Sequence, residues 1–393
     1  MKNWKIKNLS SLFLLLSLSI FVFLFSIYFR NLNAEIDSLY FRATLIQPVF
    51  KERISSRPIT LIFVGDIMLD RGVKYMIERY GNGDYKFPFF KIRDYLNQTD
   101  VLFGNLEGPI SDKGQKVGSI YSFRNDPRTI EGLVFAGFDI LSVANNHIFD
   151  YGREAMEDTF LRLKEVGIDY VGGGFNEEEA YLSIIKEING TKIAFLAYTN
   201  LGTPYWSAKE EKSGISWLTE ENLVTGIKKA KEEANLVIVS IHFGDEYKTS
   251  LTSEQRYFAH LAIDSGADLV IGHHPHIIQE IEKYKEGYIA YSLGNFVFDQ
   301  GFSEETMKGL MLKVLIKDGK IKELVSVEVK INEFFQPEIV AKNEFTRVSF
   351  FKRRANQLGI RFNFNYFNLS CRRWNFELFK ICFRRNNFSF PTS

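Results

Sequence analysis

Between residues 58 and 335, short β-branched or apolar runs alternate with longer segments of helical period. The runs Ile59–Val64, Val101–Gly104, Ile140–Val143, Tyr170–Val171, Ile193–Tyr198, Leu236–Ile241, Leu269–Ile271 and Tyr288–Ser292 predict strands. Segments near 87–97, 129–136, 153–166, 220–233 and 253–265 predict helices. Strands that alternate with helices imply an α/β fold whose sheets are covered on their faces. Later the pattern changes. Met311–Ile316, then Asp318-Gly319, then Ile321–Val329 predicts a β-hairpin turning at Asp-Gly, which closes the domain near residue 335. No internal repeat interrupts this order.

The amino-terminal region follows a different rule. Leu9 to Phe29 carries no charge, and as a helix it spans about 30 Å, the thickness of a bilayer core. It ends in Ile27, Tyr28 and Phe29, with no small-residue cleavage site after it, so it reads as an uncleaved transmembrane signal anchor; a cleaved signal peptide is the competing reading. Lys2, Lys5 and Lys7 favour retention of residues 1–8 in the cytoplasm. The expected localisation is therefore the cell membrane, single-pass, with a stalk over 30–57 and the main domain outside.

Charge sharpens this division. The whole chain has 49 Lys+Arg and 48 Asp+Glu, but residues 1–30 carry +4, residues 351–393 carry +8 and the middle carries −11. The tail, 336–393, has nine Phe and seven Asn in its last 43 residues and no sustained period; it reads either as a membrane-surface or partner-binding extension or as a stretch without a selected role. Both cysteines, Cys371 and Cys382, lie there, so no disulfide or Cys-rich zinc site supports the middle. Any metal in the middle must be held by His, Asp, Asn or Glu.

Five of the six histidines fall in three motifs directly after predicted strands: Asn145-Asn146-His147, His242-Phe243-Gly244 and Gly272-His273-His274-Pro275-His276. Asp66 and Glu107 share that placement. The carboxyl ends of strands in α/β folds face the ligand crevice, so these groups can converge. Imidazole, carboxylate and amide oxygen without thiolate suit one or two divalent ions such as Mn²⁺, Zn²⁺ or Fe²⁺. His260, inside a predicted helix, is read as structural.

These blocks, together with Gly65-Asp66, Met68 and Arg71, Asn105-Leu106-Glu107, Phe149-Asp150-Tyr151-Gly152 and Ser292-Leu293-Gly294-Asn295-Phe296, resemble the bacterial capsule synthesis proteins of the CapA or PgsA type. That family is associated with poly-gamma-glutamate and belongs to the calcineurin-like metallophosphatase superfamily. The resemblance implies a four-layer αββα sandwich over 58–335. It also implies Asp66, Glu107, Asn146, His242, His274 and His276 as metal ligands, His147 as the proton donor to a leaving oxygen, Asp150 as its orienting partner and Arg71 as an anion clamp. Two departures stand out: Met68 occupies the second position of an Asp-x-His motif, and Glu107 replaces a bridging Asp. The implied partners are an anionic polymer or phosphoester substrate, membrane subunits of a capsule synthesis machine and the membrane itself, with no nucleic acid. The implied function is metal-dependent hydrolysis in capsule synthesis or export; a non-catalytic binding or scaffold subunit is the alternative.

Overall fold

The computed structural model describes residues 57–117 and 120–340, together with the short strand Thr346–Arg347. The expected span 9–29, nearly all of the stalk and the basic tail from 351 lie outside the described residues. No helix among the described residues is long and apolar enough to cross a membrane.

The chain first lays down four parallel strands, β1 (Ile59–Ile67), β2 (Val101–Leu106), β3 (Ile140–Ser142) and β4 (Asp169–Val171). A two-residue strand, β5 (Gly173–Gly174), then marks the crossing to a second sheet, whose first members are the antiparallel pair β6 (Ile184–Ile188) and β7 (Thr191–Thr199). Strand β8 (Gly214–Ile215) returns to pair with β5. The second sheet is completed by β9 (Leu236–His242), β10 (Leu269–His273), β11 (Ile281–Tyr284) and β12 (Gly287–Ala290), in the order β11-β12-β10-β9-β7-β6. The chain then rejoins the first sheet through β13 (Asn295–Val297), β14 (Lys308–Lys317), β15 (Lys320–Ile331), β16 (Pro337–Ile339) and β17 (Thr346–Arg347). That sheet runs β16-β15-β14-β1-β2-β3-β4, with β13 on β1 and β17 on β15.

Alternation of side chains along each strand builds the layers. In β1, Leu61 and Phe63 face the second sheet, where they meet Ile193, Phe195, Ile238 and Ile271. Ile62 and Val64 face the other way, onto helices Arg71–Arg79, Thr129–Ala136 and Gly152–Glu165 through Val73, Leu133 and Phe160. The second sheet repeats the scheme: Leu196, Val237, Val239 and Val270 pack on Leu223, Ile227 and Ala259 of helices Glu220–Glu233 and Ser253–Asp264. The result is four layers, helix, sheet, sheet, helix. Phe103 and Phe195 stack across the middle with ring centroids 6.0 Å apart.

All eight expected strands are present, and the hairpin turns at Asp318 and Gly319, both with positive φ (55° and 65°), as a two-residue Asp-Gly turn requires. Three differences stand out. The helix expected at 87–97 divides into a 3₁₀ turn, Phe87–Phe89, and a short helix, Arg93–Leu96, with the break at Ile92, whose φ of −118° lies off the helical value. Helix Arg71–Arg79, which buries Val73 and Ile77 four residues apart, was not among the expected helices. The first sheet also runs past residue 335, since β16 pairs with β15 through Ile331 and Pro337.

Helix Ser253–Asp264 is opened by a reciprocal cap: Thr252 Oγ1 accepts from Gln255 N, and Gln255 Oε1 accepts from Thr252 N. Thr252→Ala should lower stability by about 1 kcal/mol, read as a shift in denaturant midpoint, whereas Thr252→Ser should stay near wild type.

Candidate metal centre

Strand β1 does not stop at Val64 but runs on through Gly65 and Asp66 to Ile67. It leaves β14 after Phe63, and Asp66 then pairs in parallel with Asn295 of β13, its N–H bonded to Gly294 O at 3.0 Å. Only glycine fits at position 65, where a Cβ would lie 1.9 Å from Gly294 O. A similar squeeze precedes the histidine loop, since a Cβ on Gly272 would lie 1.9 Å from Tyr291 O. Both close approaches bring a strand end to the same point between the sheets.

At that point the side chain of Asn105, fully buried in β2, orients three groups. Its Nδ2 lies 2.9 Å from Asp66 Oδ1, 3.4 Å from Glu107 Oε2 and 3.4 Å from His242 Nδ1. Asn145 holds Asn105 in turn, donating to Asn105 Oδ1 at 3.2 Å and to Leu106 O at 2.8 Å. Asn146 Oδ1 sits 2.7 Å from His242 Nε2. From β10, His273 Nδ1 approaches Asp66 Oδ1 at 3.2 Å. His274 and His276 follow with φ of 97° and 58°, a left-handed backbone that reverses the chain twice and turns both rings inward. His276 Nδ1 lies 3.0 Å from Asn295 Oδ1 and 3.3 Å from Asp66 Oδ2, and its Nε2 lies 3.6 Å from Glu107 Oε1.

Beside this cluster stands His147. Its Nδ1 is 2.7 Å from Asp150 Oδ2, an oxygen that also accepts the Phe123 N–H at 2.8 Å. With Nδ1 committed to the carboxylate, Nε2 faces the centre, 3.8 Å from Glu107 Oε1. His147 also lines two open cavities, one of about 570 Å³ on the side of Arg71, Tyr247 and Asp299, the other of about 360 Å³ on the side of Leu201 and Trp206.

Burial and charge pull the titratable groups apart. Burial raises the Asp66 carboxyl, but hydrogen bonds from His273 and His276 outweigh it and hold the group well below the ordinary carboxylate range. Burial, reinforced by the Asp66 charge and opposed by His276, pushes Glu107 up to about 7. His242 is held well below its ordinary value by burial and by His274, and His274 falls to about 3 through burial and the neighbouring His276. His276 loses to burial but gains more from Glu107 and Asp66, rising to about 9.

The sign of the pH effect follows from linkage. Glu107 keeps its proton in the folded chain up to about 7, and the unfolded chain releases it near 4.5, so stability from this group falls as pH rises through that window. His276 does the same between 6.5 and about 9. His242 and His274, held low, favour folding as pH rises only up to about 6.5, so above that the raised groups decide and the metal-free protein should melt at a lower temperature at pH 8.5 than at pH 7. Added divalent ion, which needs both groups deprotonated, should raise the melting temperature more at the higher pH. Scanning calorimetry at the two pH values, with and without Mn²⁺, checks both directions.

The donor chemistry fits a divalent cation. Glu107 Oε1, His273 Nε2 and His274 Nδ1 are buried without a hydrogen-bond partner, a costly condition that a bound ion relieves. One donor atom each from Asp66, Glu107 and His242 lies within 4.8 Å of the others, and the same holds for Glu246, His274 and His276. The structure thus gathers Asp66, Glu107, His242, His274 and His276, with Asn146 bonded to His242, and it sets the His147–Asp150 pair beside them. Arg71 lines the larger cavity, but Asp299 already holds its guanidinium, with Nε donating to Oδ2 at 3.1 Å. His260 is away from this cluster, stacked on Tyr284 at 3.7 Å and bonded to Glu282. The sequence reading assigned no role to Asn105, Asn145, His273, Glu246 or Asp299. Asn105, Asn145 and His273 stood inside motifs already singled out; Glu246 and Asp299 gave no separate signal.

Comparison with known proteins places these residues in a context. Residues 60–300 match the family described as bacterial capsule synthesis protein PGA_cap. A capsule biosynthesis protein CapA of Bacillus anthracis is 36% identical over 300 residues, covering 74% of this chain and 72% of that protein. A PGA biosynthesis protein CapA of Bacillus subtilis is 35% identical over 263 residues, covering 65% of this chain and 68% of its own length. Among solved structures, a phosphatase of Mycoplasma pneumoniae aligns with a TM-score of 0.40 at 17% identity, over 70% of this chain and 94% of that one.

Proposed function

Because this chain belongs to the bacterial capsule synthesis protein family PGA_cap, we propose that it serves poly-gamma-glutamate capsule synthesis or export as a metal-dependent hydrolase of metallophosphatase type. The observation that carries this reading is the set of buried, unpartnered donor atoms at the strand ends, set beside an imidazole whose Nε2 faces the centre and whose Nδ1 is held by a carboxylate. In this reading Asp66, Glu107, Asn146, His242, His274 and His276 hold one or two ions of Mn²⁺, Zn²⁺ or Fe²⁺. Bound there, such an ion supplies Lewis acidity toward a phosphoryl or carbonyl oxygen.

The remaining work falls to the chain itself. Asn105 and Asn145 fix the carboxylates in place before any ligand arrives, so little reorganisation is left for the reaction. In its protonated form His147 would give the Nε2 proton to the leaving oxygen, and the Asp150 carboxylate on Nδ1 orients the ring and stabilises that charged form. Around the mouth, Glu246 and Asp299 outweigh Arg71 in charge, so a polyanion is repelled from the cavity walls and held at the centre alone. Residues 9–29 would anchor the protein with its amino end in the cytoplasm and this domain outside, next to the membrane subunits of the synthesis machine.

One observation favours a second reading, a binding or scaffold subunit that keeps the pocket without turnover. The Arg71 guanidinium, which a catalytic anion clamp needs free, is already taken by Asp299. Metal analysis of the purified full-length protein, with hydrolysis of an aryl phosphate and of poly-gamma-glutamate, separates the two. Metal with hydrolysis supports the enzyme. Metal without hydrolysis of either substrate supports the scaffold, and a protein that neither retains nor rebinds metal sinks both.

A further inference from the structure

Next to the centre lies a carboxylate that the family resemblance does not assign. The loop after β9 turns back on itself, with Gly244 at φ 95° and Tyr247 at φ 60°, and Tyr247 N–H bonds Pro275 O at 2.9 Å, tying this loop to the His274–His276 loop. The turn brings a carboxylate oxygen of Glu246 and one ring nitrogen each of His274 and His276 within 4.8 Å of one another. The His274 ring is nearly buried, at 7% exposure, and its Nδ1 has no hydrogen-bond partner. Glu246 itself lies on the solvent side and lines the larger cavity, where an ion would arrive.

Across the centre, Met68 offers no substitute for a missing ligand. It is fully buried among Ile62, Val73 and Ile77 on the helix side of the first sheet, and its Sδ accepts the Asp70 N–H at 3.1 Å. A site built from Asp66, Glu107 and His242 is therefore short of donors around His274 and His276.

We propose that Glu246 is a metal ligand, forming with His274 and His276 a second ion position beside that of Asp66, Glu107 and His242. This rests on the metal-binding reading above and adds to it a ligand and a consequence. An oxygen donor where the resemblance would put a nitrogen hardens the set, which favours Mn²⁺ over softer ions relative to an all-histidine position. The Tyr247 hydroxyl, hydrogen-bonded to Glu246 and accepting from Gln300 Nε2 at 3.1 Å, positions the carboxylate.

The test uses the full-length protein stripped by a chelator and titrated with Mn²⁺, with free Mn²⁺ followed by electron paramagnetic resonance and heats by calorimetry. Wild type should take up two equivalents. Glu246→Ala should weaken one of them by on the order of tenfold to a hundredfold or more and leave the other intact. Glu246→Asp should recover part of the loss, and Asp245→Asn, which alters the neighbouring exposed carboxylate, should titrate like wild type. Because Glu246 is exposed, circular dichroism should find every one of these variants folded. If Glu246→Ala titrates like wild type, the assignment of Glu246 is overturned while the centre stands. If wild type itself takes up no Mn²⁺, the metal-binding reading is overturned and the assignment with it.

Discussion

His147→Ala should lower turnover by a factor of about 10²–10⁴ while the protein keeps its full metal content. The separation follows from position. His147 Nε2 is 3.8 Å from Glu107 Oε1, beside the donor cluster, and its Nδ1 is committed to Asp150. Asp150→Asn should reproduce part of that loss, because the amide lacks the negative charge that stabilises the protonated ring. The backbone N–H of Phe123 donates to Asp150 Oδ2, the same oxygen that faces His147 Nδ1, so an asparagine would keep its oxygen there and the loss comes from the missing charge. Steady-state rates on an aryl phosphate, with metal quantified on the same samples, decide the matter. Unchanged rates in both variants would remove His147 from the chemistry and strengthen the scaffold reading.

Gly65→Ala should be the most damaging small substitution in the domain, costing more than about 4 kcal/mol or abolishing soluble expression. The added methyl would meet Gly294 O at 1.9 Å and Gly294 C at 2.8 Å, and both are backbone atoms of a strand connection that cannot swing aside. The neighbouring Asp66 would lose its register with Asn295 at the same time. Gly301→Ala supplies the control, since nothing lies within 4 Å of a Cβ there. Soluble yield and melting temperature of the two variants should differ sharply. A Gly65→Ala protein that melts like wild type would mean that β1 and β13 do not approach as closely as described.

Much of this was legible from local chemistry. Strands buried on both faces read as continuous apolar runs, so Ile59–Val64 and Leu236–Ile241 announced themselves without context. The histidines followed such runs directly, and strand ends in an α/β fold have one place to meet. What stayed hidden depended on distant partners. Arg71 could be seen as a cation near the site, but Asp299, which occupies it, lies 228 residues away in the chain. Glu246 looked like one more loop carboxylate until Tyr247 N–H and Pro275 O joined its loop to the histidine loop. Asn105 and Asn145 were visible within motifs, yet their task of aiming other ligands exists only once four strand ends are side by side.

The exchange of partners along β1 also governs when the site can come into being. Its first half is zipped to β14 and its last two residues to β13, both from the far end of the described chain. Closing so long a loop costs entropy before any contact rewards it, which makes this pairing a slow and late event in folding. A chain emerging amino end first has Asp66 in hand almost at once but holds it in no fixed place until residues beyond Lys308 have arrived. Until then β1 presents an unpaired, apolar edge of the kind that recruits other strands. Capture of the first ion would accordingly be a late event in the maturation of this domain, and chains cut short before β14 should aggregate rather than bind metal weakly.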